Sequence, residues 1–342
     1  MSYKQMTGNI ISATKVEPAG KIINSAASGV WNLQDQYDYR RGDNWPSTDN
    51  AAPTGLIAGV GNSGSYTNVI EFIVIATTGD SADFGDRTVS TQRLSSLGSS
   101  TRGLFAMGQA AANLDTIDFV TIASTGNATD FGNTSATAQF GAALSNNARG
   151  VFVLGLGGGN GSTKLDVIEY VTIANTGNAT DFGNLTEAKG YMTGCASTTR
   201  GLIAGGAASG ATNVIEYITI ANTGNGSDFG DLSAAKYVAS SCASNTRGLI
   251  AGGYTSSAID VIEYVTIANT GNVTDFGNLV AANSRMSSVG SNVRAVFAGG
   301  ISSATMDYVT IASTGNAADF GDLSAVTNSG AGCSGSHGGI AA

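Results

Sequence analysis

The stretch VIEYVTIANTGNATDFG at residues 167–183 decides the fold, because close variants of it occur six times in the 342-residue chain. Successive copies are separated by 47, 51, 47, 47 and 44 residues. A period of this size is typical of an architecture in which one supersecondary unit is repeated. The Asp of the closing Asp-Phe-Gly lies at Asp83, Asp130, Asp181, Asp228, Asp275 and Asp319.

One copy of the repeat contains four short apolar segments separated by Gly, Ser, Asn and Thr clusters, which predict four strands. We call these the first, second, third and fourth strands. The third is rich in Val, Ile, Tyr and Thr and has apolar residues on both faces, so we expect its sheet to lie between two other sheets. In one copy the segments span residues 188–197, 198–206, 214–221 and 222–232.

The composition agrees with an all-β chain built from many tight turns. It contains 48 glycines and three prolines, and 12% of its residues are charged. A net charge of −9 argues against a nucleic-acid partner, because phosphate binding requires clustered Lys and Arg. The sequence has no run of eighteen apolar residues and no apolar N-terminal stretch, so we expect neither a membrane span nor a signal peptide.

The two ends of the repeat region predict a ring rather than an open solenoid. The first copy starts at its second strand, TGLIAGV at 54–60, and the chain supplies an extra first strand, AVTNSGAGCS, at 325–334. Pairing these segments would complete one sheet and remove exposed edges. We therefore predict a six-bladed β-propeller of four-stranded blades closed by the C-terminal strand. SHGGIAA at 336–342 resembles another second strand, which leaves seven blades as the alternative.

The order of Arg-Gly, an apolar run ending in Gly-Gly and an aromatic third strand resembles the Kelch repeat. The double glycine occurs in GLIAGG at 201–206 and 248–253 and in VFAGG at 296–300. The resemblance implies a Kelch-like propeller over residues 51–342. The chain has Phe in Asp-Phe-Gly where the Kelch pattern has Trp, and we interpret this Phe as a wedge between blades.

The sequence ASGVWNLQDQYDYRRGDNWP at 27–46, together with the repeats, resembles virion proteins of tailed bacteriophages. This resemblance implies a fibre, tail or head-surface protein located in the virion and oligomeric in the assembly. Residues 1–50 are too few to bury a large core, so we expect an extended N-terminal arm that attaches to other virion proteins. The alternative to attachment is that Trp31 and Trp45 pack against the propeller of the same chain. The predicted anchors are Trp31, Arg40, Arg41 and Trp45.

Two columns of charge recur through the repeat in a chain that is otherwise poor in charge. An unpaired buried carboxylate is costly, so we predict structural ion pairs between strands or blades. The alternatives are a ring of acids that binds a cation or a sugar in the channel, and calcium at the Asp and Asn turns. The acids are Glu71, Asp118, Glu169, Glu216, Glu263 and Asp307, and the arginines are Arg102, Arg149, Arg200, Arg247 and Arg294.

No motif predicts a catalytic, cofactor or metal site. The single histidine, His337, occupies the position of the repeated Arg and cannot by itself form a triad or a histidine-rich metal site. The glycine-rich GLGGGNGSTK at 155–164 has the wrong residue order for a phosphate loop, and Asp-Phe-Gly lacks the other kinase motifs. Cys195, Cys242 and Cys333 share an otherwise apolar column, which predicts core positions.

The sequence therefore favours a non-enzymatic structural component of a tailed-phage virion, displayed outward for host-surface binding. The alternative is a stand-alone propeller that binds a carbohydrate or receptor through the loops at 108–115, 155–166 and 206–213, which vary between copies. A third reading, a propeller glycosidase or lyase, would require a non-repeated cluster of acids, His or Tyr on one face, and none stands out.

Overall fold

A computed structural model describes residues 54–61 and 65–340, and all regular elements in these ranges are β-strands. The predicted anchors Trp31, Arg40, Arg41 and Trp45 lie outside the described residues. The strands in chain order are β1 Thr54–Ala58, β2 Thr67–Val74, β3 Ala82–Thr91, β4 Ser95–Gly98, β5 Arg102–Ala106, β6 Leu114–Thr121, β7 Thr129–Gln139, β8 Ala142–Ser145, β9 Arg149–Val153, β10 Leu156–Gly157, β11 Thr163–Thr172, β12 Thr180–Lys189, β13 Thr193–Ala196, β14 Arg200–Ala204, β15 Val214–Thr219, β16 Ser227–Asp231, β17 Ser240–Ala243, β18 Arg247–Ala251, β19 Ile259–Thr266, β20 Thr274–Asn283, β21 Ser287–Gly290, β22 Arg294–Ala298, β23 Ser303–Thr310, β24 Ala318–Thr327 and β25 Ala331–Ser334.

Four of the sheets are antiparallel blades of four strands each. Their strand orders are β25-β1-β2-β3, β13-β14-β15-β16, β17-β18-β19-β20 and β21-β22-β23-β24. Within each blade the order is first, second, third and fourth strand of the repeat, as the sequence predicts. The remaining strands, β4 to β12, form one nine-stranded sheet.

The predicted count of six blades, or seven in the alternative, is therefore wrong: four separate four-stranded blades and one nine-stranded sheet are present. The reason is the insertion at 155–164, which supplies β10. This short strand pairs with β7 through Leu156 and Gln139, and with β11 through Leu156 and Lys164, so it joins two copies of the repeat into one sheet. Residues 336–340 form no strand of a seventh blade.

The ring closes through the C-terminal strand. β25 pairs with β1 in antiparallel register from Gly55 with Ser334 to Ala58 with Ala331, as the two ends of the repeat region predict. The first strands contact one another in a closed cycle of β4, β8, β13, β17, β21 and β25. This is a β-propeller arrangement with a central channel lined by first strands.

The apolar core lies between neighbouring sheets rather than within any one of them. In one cluster, Leu202, Ile215 and Phe229 of the blade β13 to β16 pack with Ile250 and Val265 of the next blade. Both faces of each third strand are therefore covered, which explains its continuous run of apolar residues. The predicted wedge is also confirmed, because Phe229 is only 2% exposed within this cluster.

A hydrogen-bonded clasp joins each Asp-Phe-Gly segment to the Thr-Gly-Asn turn of the following repeat. The Phe229 carbonyl accepts a bond from Gly271 N at 2.7 Å, and Asp231 N donates to Asn272 Oδ1 at 2.9 Å. At the junction between the last and first copies, Asp80 of the first copy replaces Asn and accepts a bond from Asp322 N. The same Gly-to-Phe bond, at 2.7 to 2.8 Å, occurs at Gly79–Phe320, Gly126–Phe84, Gly177–Phe131, Gly224–Phe182 and Gly315–Phe276.

The clasp requires glycine at the end of Asp-Phe-Gly, so we predict that Gly230→Ala destabilises the protein by about 2–4 kcal/mol. Gly230 has a φ of 146°, and a Cβ there would lie 2.4 Å from the Gly271 carbonyl oxygen. Chemical denaturation measures the change. Gly210→Ala is the control, because a Cβ at Gly210 meets no atom within 4 Å. Equal stabilities of the two variants would show that the clasp tolerates a side chain.

Candidate functional site

The acid column links neighbouring copies of the repeat. Glu216 on the third strand β15 accepts a bond from Thr186 N on β12 at 2.9 Å, and Lys189 Nζ lies 2.9 Å from its other oxygen. In the next copy Lys236 Nζ lies 2.7 Å from Glu263 Oε2. Each acid thus bonds with residues at or just after the fourth strand of the preceding copy, and these two ion pairs are almost entirely buried.

The remaining acids make the same link with other partners. Arg87 pairs with Asp118 at 3.0 Å, and burial lowers the pKa of its guanidinium although Asp118 acts in the opposite direction. Glu71 accepts from Ser324 N at 3.3 Å, and Glu169 from Ser135 N at 3.1 Å. Asp307 accepts from Val280 N at 3.0 Å, and its partial burial raises the pKa of its carboxyl.

The arginine column has a different role from the one predicted. Arg200 lies over the ring of Tyr217, 4.5 Å from its centroid, and donates to the Ile267 carbonyl at 2.8 Å. Each of the five arginines makes this cation–π contact within its own copy and a bond to a carbonyl of the next copy in the ring. The other pairs of arginine and ring are Arg102 with Phe119, Arg149 with Tyr170, Arg247 with Tyr264 and Arg294 with Tyr308.

The structure does not bring the two columns together as ion pairs. The three buried acids that have a cationic partner use Arg87, Lys189 and Lys236, which the sequence analysis did not select. Each acid bonds with the preceding copy, whereas each arginine contacts a ring of its own copy and a carbonyl of the next. One pattern in the sequence could have identified these cations. Each lies four to eight residues after the Asp of Asp-Phe-Gly, in the copy that precedes its acid partner.

The three cysteines are free and buried, as predicted for core positions. Burial raises the pKa of Cys195, Cys242 and Cys333 to about 12, so these thiols stay protonated near neutral pH. Among residues 54–61 and 65–340, no group of three or more His, Cys, Asp and Glu is arranged to hold a metal. Within the same ranges, no helix has the length and apolar character needed to cross a membrane.

One end of the channel carries a ring of six residues that differ from copy to copy, and we call it the mouth ring. Each has a positive φ, between 49° and 63°, which non-glycine residues rarely adopt. Their backbones form a closed cycle, in which each N–H donates to the carbonyl of the preceding member at 2.8 to 3.2 Å. The members are Arg93, Phe140, Tyr191, Val238, Arg285 and Ser329.

The mouth ring surrounds a cavity that continues into the channel between the first strands. Phe140 and Tyr191 lie together on one side, with ring centroids 4.4 Å apart. Arg93, Ser329 and Arg285 follow one another on the other side, so one half of the mouth is aromatic and the other is basic.

The variable loops border this mouth. Gln109, in the loop 108–115, accepts a bond from Arg93 Nη1 at 2.7 Å. Asn113 donates to the Leu156 carbonyl at 3.1 Å, and Lys164 Nζ donates to the Ala208 carbonyl, so the three loops contact one another in turn. The sequence analysis identified these loops but missed the mouth ring, because the residues of the ring vary between copies and match no motif.

The opposite end of the channel is covered by the C-terminal segment 336–340. Gly338 N donates to the Ala243 carbonyl at 2.9 Å. His337 lies against the first strands, with Nε2 3.0 Å from the Gly98 carbonyl oxygen, while Nδ1 accepts a bond from Gly339 N at 3.1 Å. These bonds require the neutral ring with its proton on Nε2, and burial lowers the pKa of His337 below 6.5.

No protein-family model matches this chain, and no curated protein matches it.

We predict that Lys189→Met destabilises the protein by about 3 kcal/mol, because it leaves the Glu216 carboxylate buried without its cation. The double variant Lys189→Met with Glu216→Leu should be closer to wild type, because both charges are removed. Urea denaturation of the three proteins measures the difference. A double variant less stable than the single one would contradict this reading of the ion pair.

The single histidine predicts a pH dependence. The folded state holds His337 neutral with a lowered pKa, so the unfolded state binds more protons below pH 6.5, and stability should fall as the pH drops through this value. Thermal unfolding at pH 7.5 and pH 5.5 tests this, with His337→Gln as the control. An equal loss of Tm in both proteins would assign the effect to carboxyl groups instead.

Proposed function

We propose that this protein is a non-enzymatic, Kelch-like component of a tailed-phage virion, in which residues 1–50 attach to the particle and the propeller is displayed outward to bind the host surface. The observation that carries the proposal is the asymmetry of the channel. One end is covered by residues 336–340, and the other opens between the variable loops. A rigid disc with one elaborated face is suited to display.

The position of the acids supports a role without catalysis. Glycosidases use two carboxyl groups flanking one sugar-binding cleft. The acids of the repeat instead lie between neighbouring sheets, where they hold buried cations or backbone N–H groups. The described residues that line the mouth cavity include Arg, Ser, Thr and Tyr but no Asp or Glu.

The alternative is a stand-alone propeller that binds a carbohydrate or a receptor. The aromatic half of the mouth favours it, because Tyr191 and Phe140 line a polar cavity, with Arg93 over the Phe140 ring. Binding at the mouth is common to both proposals. Attachment to a particle through residues 1–50 separates them.

The test of the proposal is incorporation into particles. We expect a chain lacking residues 1–50 to remain folded and soluble, because β25 pairs with β1 to close the described ring, but to be absent from purified virions. The control is the full chain with Trp31→Ala and Trp45→Ala, which should be incorporated poorly while keeping its Tm. Normal incorporation of the shortened chain would contradict the role of the arm.

A further inference from the structure

We propose that the mouth ring is a binding site for an acidic sugar, in which Arg285, Arg93 and Ser329 hold the carboxylate and Tyr191 and Phe140 contact the ring of the sugar. This inference deepens the receptor-binding part of the proposed function and names its ligand class.

The basic half of the mouth contains polar atoms without partners. Arg285 Nε is buried and has no hydrogen-bond partner among the described residues. The hydroxyls of Ser95 and Ser287 line the same cavity and are also unpartnered, and both residues are at least 95% buried. Buried polar atoms nearly always have a hydrogen-bond partner, so three unpartnered atoms around one cavity indicate that a polar ligand binds there.

The two arginines of the mouth ring indicate that this ligand is an anion. Among the described residues, no acid lines the cavity to balance them. Burial lowers the pKa of the Arg93 guanidinium, and the nearby charge of Arg285 acts in the same direction, while Tyr191 opposes it. A bound anion would relieve this repulsion and accept a hydrogen bond from the unpartnered Arg285 Nε, as carboxylates do with arginine.

The aromatic half of the mouth indicates that the ligand contains a sugar ring. Tyr191 packs against Phe140 and also lies 5.7 Å from Tyr237, which in turn packs with Tyr254. This row of rings reaches from the cavity toward the loops. Aromatic faces bury the C–H face of a pyranose while its hydroxyls bond to the serines below.

The cycle of backbone hydrogen bonds keeps the site preorganised. Six successive N–H to carbonyl bonds fix the positive-φ backbone from which the mouth side chains project. Residues held in such rare conformations persist only where the surrounding structure determines them, and they are frequent at ligand sites. A fixed backbone reduces the entropy lost when a ligand binds.

The experiment is titration of the full chain by NMR with methyl glucuronide, methyl glucoside and inorganic phosphate. The two glycosides differ at C6, where one has a carboxylate and the other a hydroxymethyl group. We expect binding of the glucuronide, at least about tenfold weaker binding of the glucoside, and phosphate binding weaker than that of the glucuronide. Equal binding of the two glycosides, phosphate binding as tight as the glucuronide, or no binding of the glucuronide would overturn the proposal.

Variants locate the site. Arg285→Asn should weaken glucuronide binding about tenfold or more, and Tyr191→Asn should weaken both glycosides, because Asn tolerates positive φ and preserves the fold. Lys164→Gln removes one charge from a loop on the same face without touching the cavity, so its affinity should match wild type. An equal loss in Lys164→Gln would reveal only non-specific attraction and refute the site.

Failure of this inference is separable from failure of the proposed function. A chain that is incorporated into virions but does not bind methyl glucuronide would overturn the ligand assignment and leave the virion role intact. A chain that binds methyl glucuronide at the mouth but never enters virions would support the site and overturn attachment to the particle.

Discussion

The contact between an Asp-Phe-Gly segment and the Thr-Gly-Asn turn of the next repeat holds each copy of the repeat to its neighbour. It combines backbone hydrogen bonds, an Asn or Asp side-chain bond and a buried Phe. The glycine is required because a Cβ at the equivalent Gly85 or Gly277 would lie 2.4 to 2.5 Å from a backbone oxygen. Because the same contact also joins Phe320 to Gly79, the chain closes on itself.

Closure places the first strands around a channel and leaves their upstream ends at one mouth. The residues of the clasp are nearly invariant between copies, since every junction needs the same bonds. The mouth ring carries no such constraint on its side chains, because only its backbone takes part in the cycle of hydrogen bonds. Arg, Phe, Tyr, Val and Ser can therefore occupy equivalent positions, and this variation gives the mouth its two unlike halves.

The charged residues divide into two groups for a related reason. Acids between the sheets are surrounded by apolar side chains, so each needs a cation or N–H groups to be stable there. Glu216 with Lys189 and Asp118 with Arg87 meet this need in pairs. Arg285 lines the mouth cavity and keeps an unpartnered nitrogen. Charge that is paired stabilises the ring, and charge that is unpaired is available to a ligand.

By itself the sequence determined the four-strand repeat, the all-β class, the wedge role of Phe229 and the closure of β25 on β1, because these depend on local patterns copied along the chain. It also identified the loops that border the mouth. It could not determine that β10 joins two copies into one nine-stranded sheet, because Leu156 pairs on both sides only in three dimensions.

The partners of the charged columns and the mouth ring were likewise decided only by the tertiary structure. Arg200 and Glu216 are close in the sequence, but each bonds across a different sheet boundary. Arg93 and Arg285 are 192 residues apart in the sequence, and they face one cavity only because the ring closes. A repeat pattern specifies what every copy shares, whereas a site built from the differences between copies exists only after closure brings those residues together.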